Sequence, residues 1–430
     1  MRAMVIDGDS TTTGRERSAR STWGSRWAAM GPGLLAASAA IGASHLISST
    51  QAGALFGWQL VWLIVLANVL KYPFFRFGPQ YAAETGRSLV EGYARRGKAY
   101  LWVFFVLAAV SSVISTAGVA LLCTVILAYL LPASWGLGVP LLATVLLGVT
   151  LVLLVGGHYK ALDGVTKIIM VTLALSTVVA VVMAAGQGAV RQPGFEDPSP
   201  WTLATLPFLV AVIGWMPAPI EISALNSLWV KAKAQGRRLA VRDVLFDFNT
   251  GYVVSTVLAV FFIGLGVFVQ YGSGQELQMA GGAYIPQLMS MYGAAIGQWA
   301  VPLMALIAFA CMFGTVISVV DGYARACAES VRLLRSRPEM SSRSKDLWIT
   351  GISLIALAIV VWMSASLADM LRFAMVSAFL TAPVFAWLNF SIIRSERQLS
   401  GTMRVLSYVG LVFLVGFTLL FLASQFGLLA

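Results

Sequence analysis

Charged residues are scarce in this sequence. Only 11% of its 430 residues are Asp, Glu, Lys or Arg, whereas 59% are hydrophobic. A soluble domain carries roughly 25% charged residues. The composition therefore excludes a soluble globular protein. It predicts an all-α polytopic membrane protein that is surrounded by the lipid bilayer.

Cysteine and histidine are also scarce. The three cysteines, Cys123, Cys311 and Cys327, all lie in or beside apolar runs, so no disulfide framework is indicated. The sequence has no phosphate-binding glycine loop, no Cys/His spacing typical of zinc and no nucleophile triad. With so few titratable groups in the apolar segments, most hydrolytic chemistry is excluded. We expect a protein that is not an enzyme and that uses no cofactor.

Acidic residues are outnumbered by basic ones. The sequence has 29 Lys and Arg against 18 Asp and Glu, a net charge of +11. In a soluble protein this excess would suggest a nucleic-acid partner. Here the basic residues lie in the connections between apolar runs, so they indicate membrane orientation instead and no nucleic acid is expected.

Eleven apolar runs are long enough to be membrane helices, which need roughly 20 residues each. They begin near Pro32, Gln59, Leu101, Val139, Thr166, Leu203, Thr250, Trp299, Trp348, Phe373 and Ser407. Basic residues cluster in every second connection, and this alternation supports the count. The positive-inside rule then predicts a cytoplasmic N-terminus and an outer C-terminus, in what we expect to be a bacterial inner membrane.

Two of these runs are interrupted near their middles. The first interruption is Gly42-Ala43-Ser44-His45, and the second is Met216-Pro217-Ala218-Pro219. Irregular backbone at membrane depth is tolerated only where it is buried in protein or lines a cavity. Paired interruptions in corresponding positions of two halves indicate the binding site of a secondary transporter.

The positions of the interruptions predict an inverted repeat. A broken helix opens each of two five-helix units, which must then have opposite orientations in the membrane, and an eleventh helix follows. We expect a disordered cytoplasmic tail over residues 1–30 and a single transmembrane domain over 31–430. Within that domain the first repeat covers about 31–186, the second about 202–393 and the eleventh helix about 405–426.

Two side chains at the interruptions are candidate ligands. His45 is one of two histidines in the sequence, and a neutral imidazole is a good transition-metal ligand. Met216 offers a soft thioether, which favours transition metals over magnesium or calcium. Both residue types are also common as packing residues in membrane helices.

Three charged residues are candidates for coupling or ion pairing: Glu221, Lys71 and Asp247. Glu221 is the only acid deep in a predicted span, where a charge costs at least roughly 2.5 kcal/mol, so it needs a partner or a role. It either pairs with Lys71 and supports the bundle, or attracts cations or carries protons. Asp247 and Asp321 are predicted to lie near the cytoplasmic ends of their helices.

The interruptions resemble those of the Nramp divalent-metal transporters. That family shows Gly-Pro, an Asp-Pro-Gly-Asn break, Gln-Ala-Gly-Ala and, at the sixth helix, Met-Pro-His. The matching stretches here are Gly31-Pro32, Gly42-Ala43-Ser44-His45, Gln51-Ala52-Gly53-Ala54 and Met216-Pro217. The resemblance implies a LeuT-type fold and proton-coupled import of manganese(II) or iron(II).

The sequence departs from the family at the metal site. Gly42 stands where the family has its metal-binding Asp, His45 where it has an Asn ligand, and Ala218 where it has the motif His. The methionine ligand is matched by Met216. The third predicted helix has no acid, whereas the family's proton route uses carboxylates there.

Two hypotheses follow for the substrate. The first is a metal cation in a rebuilt site, with His45 and Met216 as metal ligands. The substrate-binding residues are then expected to be Gly42, Ser44, His45, Ile213, Met216 and Ala218. The second is a small organic solute that carries a carboxylate, because loss of the Asp frees a half-helix N-terminus for an anion. A metal or solute sensor is a third possibility, but no signalling domain is visible.

Overall fold

The computed structural model describes residues 31–157, 159–188, 190–234, 239–278, 281–396 and 399–428. The tail predicted over residues 1–30 lies outside the described residues. The described chain is almost entirely helical. Its α-helices are α1 (Pro32–Ala40), α2 (Thr50–Phe56), α3 (Val61–Thr85), α4 (Leu89–Arg96), α5 (Lys98–Leu130), α6 (Val139–Val155), α7 (Tyr159–Gln187), α8 (Leu206–Trp215), α9 (Ile222–Ala234), α10 (Val241–Val269), α11 (Tyr284–Ile296), α12 (Ala300–Leu334), α13 (Ser342–Trp362), α14 (Leu367–Glu396) and α15 (Gly401–Gln425).

The long helices account for the predicted membrane spans. By length and composition, seven helical stretches of the described chain are able to cross a membrane, and three shorter apolar helices accompany them. The difference from eleven arises because α2 and α3 are counted as one stretch, Ser44–Thr85, and because α6, the apolar part of α7 and the half-helix α8 are each shorter than 18 residues. When α1 with α2, and α8 with α9, are each counted as one span, and the short α4 and α11 are left out, the element order gives the predicted eleven.

Both interruptions lie where the sequence predicts them. The first half-helix α1 ends at Ala40, and a π-helical turn over Ser44–Ser49 leads into α2. The second break separates α8, which ends at Trp215, from α9, which begins at Ile222. Pro217 and Pro219 explain this second break, because proline has no backbone N–H to donate. A π-turn is a common departure from α-helical geometry at functional sites.

Glycine allows the halves of the first broken helix to cross α10 closely. A Cβ atom on Gly53 would lie only 2.0 Å from the carbonyl oxygen of Ile263, and one on Gly266 would lie 2.2 Å from that of Thr50. No other residue fits at such a distance. The Gly53 position therefore serves helix packing, as small residues do in membrane bundles.

This crossing generates a prediction about stability. We expect Gly53→Ala to lower the melting temperature of the purified protein, because overpacking typically costs about 1–3 kcal/mol. The matched control is Gly416→Ala on α15, where an added Cβ meets nothing within 4 Å. Thermal unfolding in detergent, followed by size-exclusion chromatography, measures both variants. Equal melting temperatures for the two would contradict the packing argument.

Candidate functional site

The two breaks line one small cavity near the centre of the bundle. The first break contributes Ser44, the second contributes Ala218, and the wall is completed by Ser115 of α5 and by Thr315 and Tyr323 of α12. The cavity has a volume of about 30 Å³. A water molecule needs roughly 10–15 Å³ on this measure, so the space fits a desolvated ion or one or two waters.

Side chains of α12 satisfy carbonyl groups at the first break. The Thr315 hydroxyl donates to the carbonyl oxygen of Ser38 at 3.0 Å, and the Cys311 thiol donates to that of Ile41 at 3.3 Å. Carbonyls at a helix C-terminus have no intrahelical partner and must find one elsewhere. Helix α12 therefore holds the interrupted backbone of the first break in place.

The space beside Gly42 is occupied by the same helix. A Cβ atom on Gly42 would lie 3.1 Å from the Thr315 hydroxyl oxygen and 3.5 Å from the sulfur of Met312. The family's Asp therefore has no room at this position without movement of α12 side chains.

His45 is fully buried and points towards α10. Its Nε2 lies 2.9 Å from the carbonyl oxygen of Ser255, and its Nδ1 lies 2.9 Å from the hydroxyl oxygen of Ser44. A carbonyl only accepts, so a neutral imidazole here carries its proton on Nε2 and accepts at Nδ1 from Ser44. The Ser44 hydroxyl has a second acceptor within reach, the carbonyl oxygen of Ala40 at 2.8 Å.

Lys71 places its ammonium group against the second break. Its Nζ lies within hydrogen-bonding distance of four carbonyl oxygens, at 2.8 Å for Ile213, 2.9 Å for Met216 and 3.3 Å for both Gly214 and Ala218. The predicted carbonyl ligand of Ile213 is therefore engaged by a lysine. Sequence reasoning missed this contact, although Lys71 was the one lysine deep in a predicted span.

Glu221 faces α5 and α12. One of its carboxylate oxygens accepts a hydrogen bond of 2.9 Å from the hydroxyl of Tyr323, and Ser111 also faces the group. Glu221 and Lys71 interact electrostatically. However, the hydrogen bonds of the ammonium go to carbonyl oxygens, so the carboxylate lies beside the break rather than in a direct pair with Lys71.

Asp247 has a structural contact at the start of α1. Its carboxylate accepts hydrogen bonds from the backbone amides of Gly31 at 3.1 Å and Gly33 at 2.7 Å. A carboxylate at a helix N-terminus satisfies free N–H groups and the helix dipole. Asp321 accepts from Arg325 at 2.6 Å on its own helix. These contacts place both acids in positions that stabilise helices.

The predicted site residues are only partly brought together. Of the residues in the described chain that line the central cavity, Ser44 and Ala218 belong to the predicted set, whereas His45 and Met216 do not line it. Within the described residues there is also no group of three or more His, Cys, Asp or Glu able to hold a metal. A metal bound by His45 and Met216 remains a prediction.

An ion-pair network joins α4, α9 and α12 at one end of the bundle, and sequence reasoning missed it. Lys231 donates to Glu91 at 2.7 Å, and Arg332 pairs with Glu329 at 2.7 Å and with Glu91 at 3.6 Å. Burial raises the pKa of Glu91, but hydrogen bonds from Lys231 and Ser88 outweigh it and hold that pKa below its ordinary value of 4.5.

This network generates a prediction about pH. Since the pKa of Glu91 is depressed in the folded protein, its contribution to stability is present above pH 4.5 and is lost as the pH falls through the lowered value. We expect Glu91→Gln to destabilise the protein by about 1 kcal/mol at pH 7, and the difference from wild type to shrink below pH 4.5. Melting temperatures across this pH range measure it. Glu276→Gln, in an exposed loop, is the control and should match wild type throughout.

The packing around Gly42 generates another prediction. Gly42→Asp should lower the melting temperature, because the new side chain meets Thr315 and Met312. The same change should cost less in a Thr315→Ala background, where the nearest clashing atoms are gone. Comparing the four proteins in one double-mutant cycle gives the coupling. An equal cost in both backgrounds would show that Thr315 does not restrict this position.

Comparisons with known proteins agree with this architecture. Residues 33–427 match the family model described as natural resistance-associated macrophage protein-like, or Nramp. The uncharacterized protein PM0681 of Pasteurella multocida is 47% identical over 412 residues, which cover 95% of each chain.

Solved structures show the same fold at low sequence identity. A mutant of the manganese transporter of Eremococcus coleocola superimposes with a TM-score of 0.73 at 14% identity, over 95% of this chain and 88% of that one. MhsT in complex with L-phenylalanine gives 0.63 at 11% identity, over 94% and 98%. These likenesses confirm the LeuT-type fold. With a family model that covers nearly the whole sequence, the chain belongs to the Nramp family of membrane transporters.

Proposed function

We propose that this chain is a secondary transporter that moves a divalent metal cation across the membrane by alternating access. The observation that carries the proposal is the cavity of about 30 Å³ lined by both helix breaks, which fits a desolvated ion. Membership of the Nramp family and the shared fold of a manganese transporter support a metal as the substrate.

The metal site is proposed to be rebuilt around His45 and Met216. Neither side chain lines the central cavity in this conformation, so both have to turn towards it when the metal binds. Imidazole nitrogen and thioether sulfur suit a transition metal rather than magnesium. When the Ser44 hydroxyl turns from His45 Nδ1 to the Ala40 carbonyl, the imidazole lone pair becomes available to a metal. Backbone carbonyls near Gly42 complete the set, and that of Ile213 joins if Lys71 withdraws from it.

Glu221 is proposed to supply the negative charge that the missing Asp would have provided. Its carboxylate binds the hydroxyl of Tyr323, whose side chain lines the central cavity. A divalent cation that loses its water needs anionic charge or many oxygen ligands nearby. We expect Glu221 to attract the cation and to carry the proton in any proton-coupled step.

Further cavities on both sides of the breaks suggest the path of the substrate. A cavity of about 220 Å³ is bordered by Gln51, Phe208 and Arg372 among others, and we place it on the outer side because the basic connections mark the opposite side as cytoplasmic. On the other side, the cavity between α1, α3, α9 and α10 is only about 20 Å³, and a separate cavity of about 500 Å³ is bordered by Glu91, Lys231 and Arg332. We propose that the substrate reaches the breaks from the outer cavity, in a bacterial inner membrane.

A carboxylate-bearing organic solute is the second candidate. The outer cavity has Arg372 on its wall, a charge that attracts anions and repels metal cations. The LeuT-type fold also accommodates an amino acid, since MhsT is known in complex with L-phenylalanine. Such a solute would need a larger central cavity than the one between the breaks.

Uptake of manganese(II) into proteoliposomes tests the proposal. Wild-type protein should give saturable uptake, and His45→Ala should reduce it by at least about tenfold through loss of a ligand. Glu221→Gln should abolish the dependence of uptake on an imposed pH gradient. His158→Ala, which replaces the other histidine of the sequence, is the matched control and should transport normally.

Two results would overturn the metal assignment. One is no manganese uptake above protein-free liposomes by protein that elutes as a folded species. The other is uptake that is identical in wild type and His45→Ala. Saturable uptake of a radiolabelled amino acid or small carboxylate by the same liposomes would then support the second candidate.

A further inference from the structure

The side-chain nitrogen of Lys71 is completely enclosed by the protein. Its side chain has 0% exposure, in the middle of the membrane helix α3. An ammonium group at membrane depth is costly unless it finds partners. Four carbonyl oxygens lie 2.8 to 3.3 Å from its nitrogen, all between Ile213 and Ala218.

These carbonyls lie at the end of α8 and in the second break, and that of Ile213 also accepts the backbone N–H of Met216 at 3.3 Å. Three of them belong to residues at the C-terminal end of α8 or directly after it, and the fourth, Ala218, lies within the break. The last carbonyls of a helix have no intrahelical partner and carry partial negative charge. In transporters with broken helices, unwound carbonyls of this kind coordinate a free cation.

The arrangement of oxygen atoms around the Lys71 nitrogen resembles the coordination of a free monovalent cation. One positive charge is surrounded by several neutral oxygens at distances longer than the 2.0–2.6 Å typical of magnesium or calcium. The Glu221 carboxylate is close enough to interact with this charge, but it does not replace any of the oxygens. The ammonium therefore contacts four carbonyl oxygens, which form a cage on one side of it, and its covalent link to α3 keeps it there.

We propose that Lys71 is a tethered cation, whose ammonium group occupies a monovalent-cation site built from the carbonyls of the second break. A free ion is not needed at this break while the lysine is in place. A substrate cation that uses the Ile213 carbonyl has to displace the ammonium, because two positive charges at this spacing repel each other. Lys71 thus determines which charge the second break accepts.

Cation binding to lysine variants tests this proposal without any transport assay. Lys71→Ala leaves the carbonyl cage empty, and Lys71→Arg keeps the positive charge. Melting temperatures are measured in detergent during titration with ammonium, methylammonium, potassium or sodium chloride. N-methyl-D-glucamine chloride, whose cation is too large for the cage, keeps ionic strength constant.

We expect Lys71→Ala to melt at a lower temperature than wild type and to be stabilised saturably by at least one small cation, as ligand binding to the folded state requires. Wild type and Lys71→Arg should show no cation-specific rise. Asn68→Ala is the matched control. Asn68 is also buried on α3, but it contacts Thr256 instead of the break, so its loss should give no cation response.

Three outcomes would overturn the proposal. The first is a rise in melting temperature with small cations that is as large in wild type as in Lys71→Ala. The second is a rise in folded Lys71→Ala that is no larger than in Asn68→Ala. The third is failure of both Lys71→Ala and Lys71→Gln to fold in every salt, since a free cation would then be unable to fill the cage. Folding of a neutral variant only with ammonium or methylammonium present supports the proposal. The experiment measures only the binding of cations to the folded protein, so its result is independent of whether the transported substrate is a metal.

Discussion

The structure depends on how polar backbone groups at the two breaks are satisfied inside a membrane. The hydrocarbon core of a bilayer supplies no water, so a freed N–H or C=O needs a partner from the protein or from a cavity that it lines. At the first break, Thr315 and Cys311 of α12 bind carbonyls. At the second, Lys71 of α3 binds four of them. Asp247 of α10 binds the amides at the start of α1.

These partners connect the fold to the function. The side chains that satisfy the breaks also decide what else can bind there, because a carbonyl already engaged by Lys71 is not offered to a substrate. At the first break, the space beside Gly42 is taken by Thr315 and Met312 of α12, so a larger side chain there needs these residues to move. The bundle around the site keeps the architecture of the family.

The breaks were predictable from the sequence because proline and glycine act locally. Pro217 and Pro219 remove backbone donors wherever they lie. The basic connections indicate the orientation of each helix in the membrane. The direction of His45 was not predictable, since His45 lies within the π-turn over Ser44–Ser49, whose geometry differs from that of an α-helix. The partners of Lys71 lie more than 140 positions away in sequence, so no local pattern reveals them.

The most direct test of the account is an experimental structure determined from crystals soaked in manganese(II), with anomalous scattering recorded at the metal's absorption edge. The account predicts one strong anomalous peak between the two breaks, within ligand distance of His45 or Met216 and adjacent to the cavity lined by Ser44 and Ala218. A peak elsewhere in the bundle, or none at saturating manganese with both breaks well ordered, would contradict a metal site at the breaks.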